Sequence, residues 1–114
     1  MSDCIFCKIG AGQIPAKVVF QTEEVLAFED LNPQAPVHVL VIPKRHIGTL
    51  SEAQAGDQAL LGRLLEAAAQ IADKKGIAES GYRVVANSGR DGGQTVLHLH
   101  LHVLGGRHMT WPPG

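Results

Sequence analysis

The chain has 114 residues, the size of one small domain. Hydrophobic residues make up 45%, which excludes a disordered chain, and 10 basic against 11 acidic residues give a formal net charge of -1, which argues against nucleic-acid binding by charge. No apolar run reaches membrane-spanning length, and Met1-Ser2-Asp3-Cys4 lacks the charged start and apolar core of a signal peptide, so no membrane partner and a cytoplasmic location are expected.

Cys4 and Cys7 form one Cys-x-x-Cys pair, which in a reducing compartment reads as a metal half-site or a reactive pair before a structural disulfide. Residues 4–10 suit a short helix or turn. Val18 to Gln21 and Val25 to Glu29 read as paired strands joined around Thr22-Glu23-Glu24. Asp30 to Pro36, with Asp, Asn and two prolines, is a turn segment. His38 to Ile42 is a third strand closed by Pro43, and its unbroken apolar stretch from Val39 places it centrally, covered on both sides. A long helix follows. Ser51 is its expected cap, with Gln54 as capping-box partner. Leu60, Leu61, Leu64, Leu65, Ala68, Ile71 and Ala72 form one apolar stripe, and Lys74, Lys75 and Gly76 suit its end. Tyr82 to Ala86 is a fourth strand, and Asn87 to Gln94 a glycine-rich loop. The expected fold is a single α+β domain over 1–114, with a five-stranded, mainly antiparallel sheet, one long helix and a short N-terminal helix.

The fifth strand carries the main chemical signal. In Leu97-His98-Leu99-His100-Leu101-His102-Val103-Leu104, polar and apolar residues alternate, which puts three imidazoles on one face. Alternate strand residues rise by roughly 6.6 Å, so His98 and His102 stand roughly 13 Å apart along the strand. Zn–N bonds of about 2.1 Å do not let all three hold one ion. Division of labour around a central imidazole is the better reading. A neutral imidazole is a nucleophile near pH 7, and its second nitrogen can donate to a fixed acceptor. The preceding loop suits a phosphate: Gly92 and Gly93 let backbone amides approach an anion, and Gln94 and Thr95 add side-chain donors. An ordinary hairpin turn accounts for those glycines equally well when they are taken alone.

His98-Leu99-His100-Leu101-His102-Val103-Leu104 resembles the motif of the histidine triad (HIT) superfamily. Cys4 to Ile9, Asp30 to Pro36, Val41 to Lys44, the Asn87 to Gln94 loop and the run from Leu104 to Trp111-Pro112-Pro113-Gly114 look like its histidine triad nucleotide-binding branch. The resemblance implies a purine nucleoside phosphoramidase. His100 would attack the α-phosphorus, expel the amine, and form a nucleotidyl-histidine that water resolves to AMP or GMP. His102 would contact the phosphate and help protonate the amine, while His98 and His38 support the network. Asp30 would hold the ribose hydroxyls, beside Leu31 and Phe28 near the base. Asn87, Gly93, Gln94 and Thr95 would line the phosphate. A homodimer is implied, with Trp111 reaching the partner's site.

The same resemblance implies a structural zinc on Cys4, Cys7, His46 and His98, with no cofactor required for catalysis. Such a zinc would withdraw the His98 ring from the network. Leu97 stands where the branch often has an aromatic, and His108 and Thr110 precede the tryptophan, so an altered leaving-group preference is expected. Two rival readings are a zinc-dependent hydrolase holding its ion on the histidine row, and a nucleotide-binding interaction module with little turnover.

Overall fold

The computed structural model describes residues 3–114. The reading of the chain's start falls partly on Met1 and Ser2, which lie outside those residues. The elements are α1 (Ile5–Gly10), β1 (Val18–Gln21), β2 (Val25–Glu29), β3 (Val37–Pro43), α2 (Gln58–Lys74), β4 (Tyr82–Val85) and β5 (Leu101–Gly105). The strands form one sheet in the order β1-β2-β3-β5-β4, antiparallel throughout. This is the expected α+β domain. Among the described residues no helix is long and apolar enough to cross a membrane.

The two-residue period of each strand sorts its side chains between two cores. Val25, Ala27, Val39, Val41, Leu101 and Val103 pack with Leu60, Leu64, Ala68 and Ile71 of α2. Leu26, Phe28, Leu40 and Ile42 face the other way, onto Phe6 of α1. Both faces of β3 are therefore covered, as its apolar run requires. The long helix closes one face of the sheet. The six-residue α1 covers only part of the other, and the site lies there.

Two expected elements differ in extent. The run after Thr49 does not enter the helix at Ser51. It first makes two short 3₁₀ turns, Leu50–Glu52 and Ala55–Asp57. Glu52 accepts from the Thr49 N–H at 3.1 Å, and Asp57 from the Gln54 N–H at 2.8 Å. Each acid closes its own turn backwards, so regular helix starts only at Gln58. Ser51 instead lies 3.5 Å from the Ser88 hydroxyl. The helix ends as expected, with Gly76 left-handed at φ +75°.

The histidine strand is also shorter than its alternation. β5 pairs with β3 only from Leu101, opposite Val41. Upstream, the Leu99 N–H donates to Ile47 O at 2.6 Å, beyond the end of β3. His98 therefore sits in a bend, and it and His100 precede the ladder. The division of faces survives, since Leu99 joins Leu101 and Val103 in the α2 core. β4 likewise stops at Val85, one residue short of Ala86.

Candidate active site

A cavity of about 240 Å³ opens between α1 and the sheet. Ile5, Phe6, Ile9, Phe28, Leu40 and Val96 make an apolar wall, and Asp30, Thr95, His100 and His102 a polar end. Leu31 stands at the rim, 97% exposed. The register explains the convergence. Phe28 lies opposite Leu40, and Leu40 opposite His102, so all three share the open face.

The histidines' partners fix where their protons sit. Pro43 O and His98 O only accept, and the Gln34 N–H only donates. His100 Nδ1 lies 2.7 Å from His98 O, so it carries the proton. Its Nε2 keeps a free lone pair, and the ring lines the cavity. His38 Nδ1 accepts from the Gln34 N–H at 3.0 Å. A neutral His38 therefore carries its proton on Nε2, which donates 2.9 Å to His102 Nδ1. That leaves His102 with Nε2–H, a donor for whatever enters. Asp30 Oδ2 stands 3.4 Å from His38 Nε2, and Asp30 Oδ1 accepts from the Asn32 N–H at 2.8 Å. Asp30 thus both shapes the turn and faces the site.

Burial disfavours the charged forms of His38 and His102. His102 is pushed down to about 4 by burial first, then by His100 and His38, against the pull of Asp30. His38 is lowered by burial, and Asp30 opposes.

The three triad residues separate as their spacing requires. The His98 ring, fully buried, turns away from the cavity. Its Nε2–H donates to Pro43 O at 2.8 Å, and its Nδ1 faces Cys4 Sγ at 3.3 Å and Cys7 Sγ at 3.5 Å. His46 Nδ1 is 3.3 Å from Cys7 Sγ. The four donor atoms lie within 4.8 Å of one another. A tetrahedral zinc with Zn–S about 2.3 Å and Zn–N about 2.1 Å needs S···N edges of roughly 3.6 Å. The set fits, including the backbone carbonyl behind the histidine ligand. Burial and the Cys4 sulfur push the Cys7 thiol up, and a bound cation would reverse that by favouring thiolates. The expected conflict over His98 also resolves, because it supports His100 through its main-chain carbonyl and not its ring.

Asp30, His38 and His102 form a second cluster of metal-type donors. Its chemistry is different. With the lone pair of His38 Nδ1 engaged by Gln34, Nε2 holds a proton and offers no metal a free pair. The 2.9 Å His38–His102 separation is a hydrogen bond. This removes the support for a catalytic ion on the histidine row.

In the glycine loop, Asn87 Nδ2 donates to Gly92 O at 2.7 Å, and Gly93 is left-handed at φ +80°. Gln94 accepts from the Gly89 N–H and donates to Gly48 O and Val96 O. Its side-chain groups brace the loop, where the sequence suggested a phosphate donor. Thr95 lines the cavity. Trp111 lies outside its own chain's cavity, 83% exposed, on a tail tied to β4 by Arg83 donating to Thr110 O at 2.8 Å. The cavity residues from α1 (Ile5, Phe6 and Ile9) fall within a segment that resembles the branch but are not picked out there as site residues, since apolar residues in so short a helix have no readable period.

An antiparallel sheet backed by one long helix, with His100 and His102 at the polar end of an apolar cavity and His98 turned behind them, defines a known class of protein. The HIT domain model matches residues 11–109, and the chain belongs to that family. It is 56% identical to an uncharacterized HIT-like protein of Synechococcus elongatus over 112 residues, 98% of this chain and 97% of that one. The crystal structure of a HIT family hydrolase from Legionella pneumophila superposes with a TM-score of 0.97 at 53% identity, covering 98% of this chain and 100% of that one. A histidine triad nucleotide-binding protein from Candida albicans superposes with a TM-score of 0.83 at 32% identity, covering 96% and 83%.

Proposed function

We propose that the protein is a hydrolase that cleaves the P–N bond of purine nucleoside 5'-phosphoramidates. The observation that carries this is the His100 tautomer: Nδ1–H is held by His98 O, so Nε2 meets the cavity as a nucleophile. The apolar wall takes the base, and the Asp30 carboxylate accepts from the ribose hydroxyls. His100 Nε2 bonds to phosphorus as the P–N bond breaks. His102 Nε2–H donates to the phosphate and the leaving nitrogen, and the amine departs protonated. Water then attacks phosphorus and returns a proton to His102 Nε2 as the P–Nε2 bond to His100 breaks, freeing His100 and the nucleoside monophosphate. Donors preset around a developing charge lower the barrier. The names of the Legionella and Candida relatives agree in class.

Cys4, Cys7, His46 and His98 would hold a structural zinc, since four protein ligands leave no open position for catalysis. Two copies would form a dimer, with the exposed Trp111 of each reaching the other's cavity; light scattering reads this directly.

The test is an adenosine phosphoramidate bearing a fluorogenic amine. His100→Ala is expected to lose several orders of magnitude in turnover while AMP affinity stays similar. Retained turnover would remove the nucleophile assignment.

A further inference from the structure

Residue 98 faces two ways. Its ring lies against the Cys4 and Cys7 sulfurs, while its carbonyl, 2.7 Å from His100 Nδ1, holds the proton that fixes that ring's tautomer. Among the described residues this is the one hydrogen bond to the His100 ring. Phe6 stands between the two cysteines in sequence. Its ring meets His100 edge-on at 5.2 Å and 89°, His98 at 5.9 Å and Phe28 at 5.5 Å.

We infer that His98 and Phe6 are positioning residues for His100, carrying the state of the Cys4/Cys7/His46/His98 centre to the attacking nitrogen. The inference rests on reading that centre as a zinc site and His100 as the nucleophile. A six-residue helix is too short to hold its own conformation. Metal bonds through Cys4 and Cys7 tie α1 to β3's exit at His46 and to the bend at His98. Without metal, that tie is S···N contacts of 3.3 to 3.5 Å, and thiols are weak hydrogen-bond partners. Emptying the centre therefore loosens α1, tilts Phe6 and frees the residue 98 carbonyl to turn. A misplacement of about 1 Å at a reacting group costs up to about a hundredfold in rate. Phe6 also walls the cavity, so nucleotide affinity weakens with it.

The experiment compares the zinc-loaded full-length protein with the same protein stripped by chelator under reducing conditions. Nitrogen-15 signals of the His100 ring are read without substrate. Loaded protein should show one tautomer, protonated at Nδ1. Stripped protein should show averaged nitrogens and kcat down about tenfold or more, restored by one equivalent of zinc. His46→Gln, remote from the nucleotide, should give the stripped pattern even with zinc present. Cadmium exchanged into the intact centre supplies a second measurement: the larger ion shifts both sulfurs, and the His100 signals should move. His100 signals identical in the zinc, stripped and cadmium proteins would overturn the inference, as would a chain that takes up no zinc. So would unfolding on stripping with cadmium leaving the signals in place. Failure to turn over phosphoramidates would sink the hydrolase reading alone, since the ring signals are independent of substrate.

Discussion

Each histidine in the site has one nitrogen committed to a partner whose role is fixed, and the other nitrogen inherits the opposite role. Backbone groups do this work: Gln34 N–H for His38, His98 O for His100, Pro43 O for His98. The three identical side chains of the triad thereby present a free lone pair at His100, an N–H at His102 and a metal-type nitrogen at His98 with no change of residue type. Asp30 shows the same economy. One oxygen closes the turn on Asn32, and the other faces the site. Asp30→Asn separates the two jobs, since an amide oxygen still accepts from the Asn32 N–H. The turn should persist while the charged acceptor proposed for the ribose is lost. A hydrogen bond to a charged group contributes about 1.5–3 kcal/mol, so KM should rise about ten- to a hundredfold with kcat little changed. A fall in kcat at constant KM would instead place Asp30 in the chemistry. The identity of these residues was readable from the chain, because the alternation placed three imidazoles together. Their protonation was not, because it depends on carbonyls and amides distant in sequence.

At the scale of elements, the readable parts were those that carry a period. β3's unbroken apolar run marked it as central, and α2's stripe marked its buried face. The helix start escaped because Glu52 and Asp57 each satisfy a nearer N–H than the helix would offer. The histidine run was half strand and half bend because pairing with β3 runs out at Val41, a property of the partner strand. Gln94 looked like a ligand donor from its glycine-rich context, yet its side-chain groups close the loop. The energetic weight of α2 is testable apart from the site. Leu64 is 1% exposed, in the core between helix and sheet. Leu64→Ala should cost about 2–5 kcal/mol, read as a lower urea midpoint with an unchanged slope. AMP affinity in the folded fraction should hold, because Leu64 lies on the far face from the cavity. Weakened affinity would mean that the two faces of the sheet are coupled.

The whole molecule divides by face. One side of the sheet is an apolar core covered by α2, and the other buries imidazoles beneath α1 and the segments around Ala16 and Val96. The histidine part of the acid sensitivity should therefore arise on the imidazole side. His38 and His102 have folded pKa values below the ordinary histidine value near 6.5, His102 at about 4, with burial the largest cause in each. In the window from about 4 to about 6.5, the unfolded chain binds more protons than the folded one. Stability should be fully present above that window and fall as pH drops through it. Asp30, His38 and His100 surround His102, and only Asp30 would favour its charged form. A thermal melt series from pH 7 to pH 4.5 should show Tm falling with acid. Acid also strips metal ligands, so the informative quantity is the difference between the native chain and His102→Asn. That variant removes one depressed group four residues beyond His98 and should flatten part of the slope. Parallel slopes in the two proteins would mean that the His102 ring is not held neutral by its surroundings. The proton chain from Gln34 through His38 to His102 would then have to be redrawn, and with it the donor proposed for the leaving group.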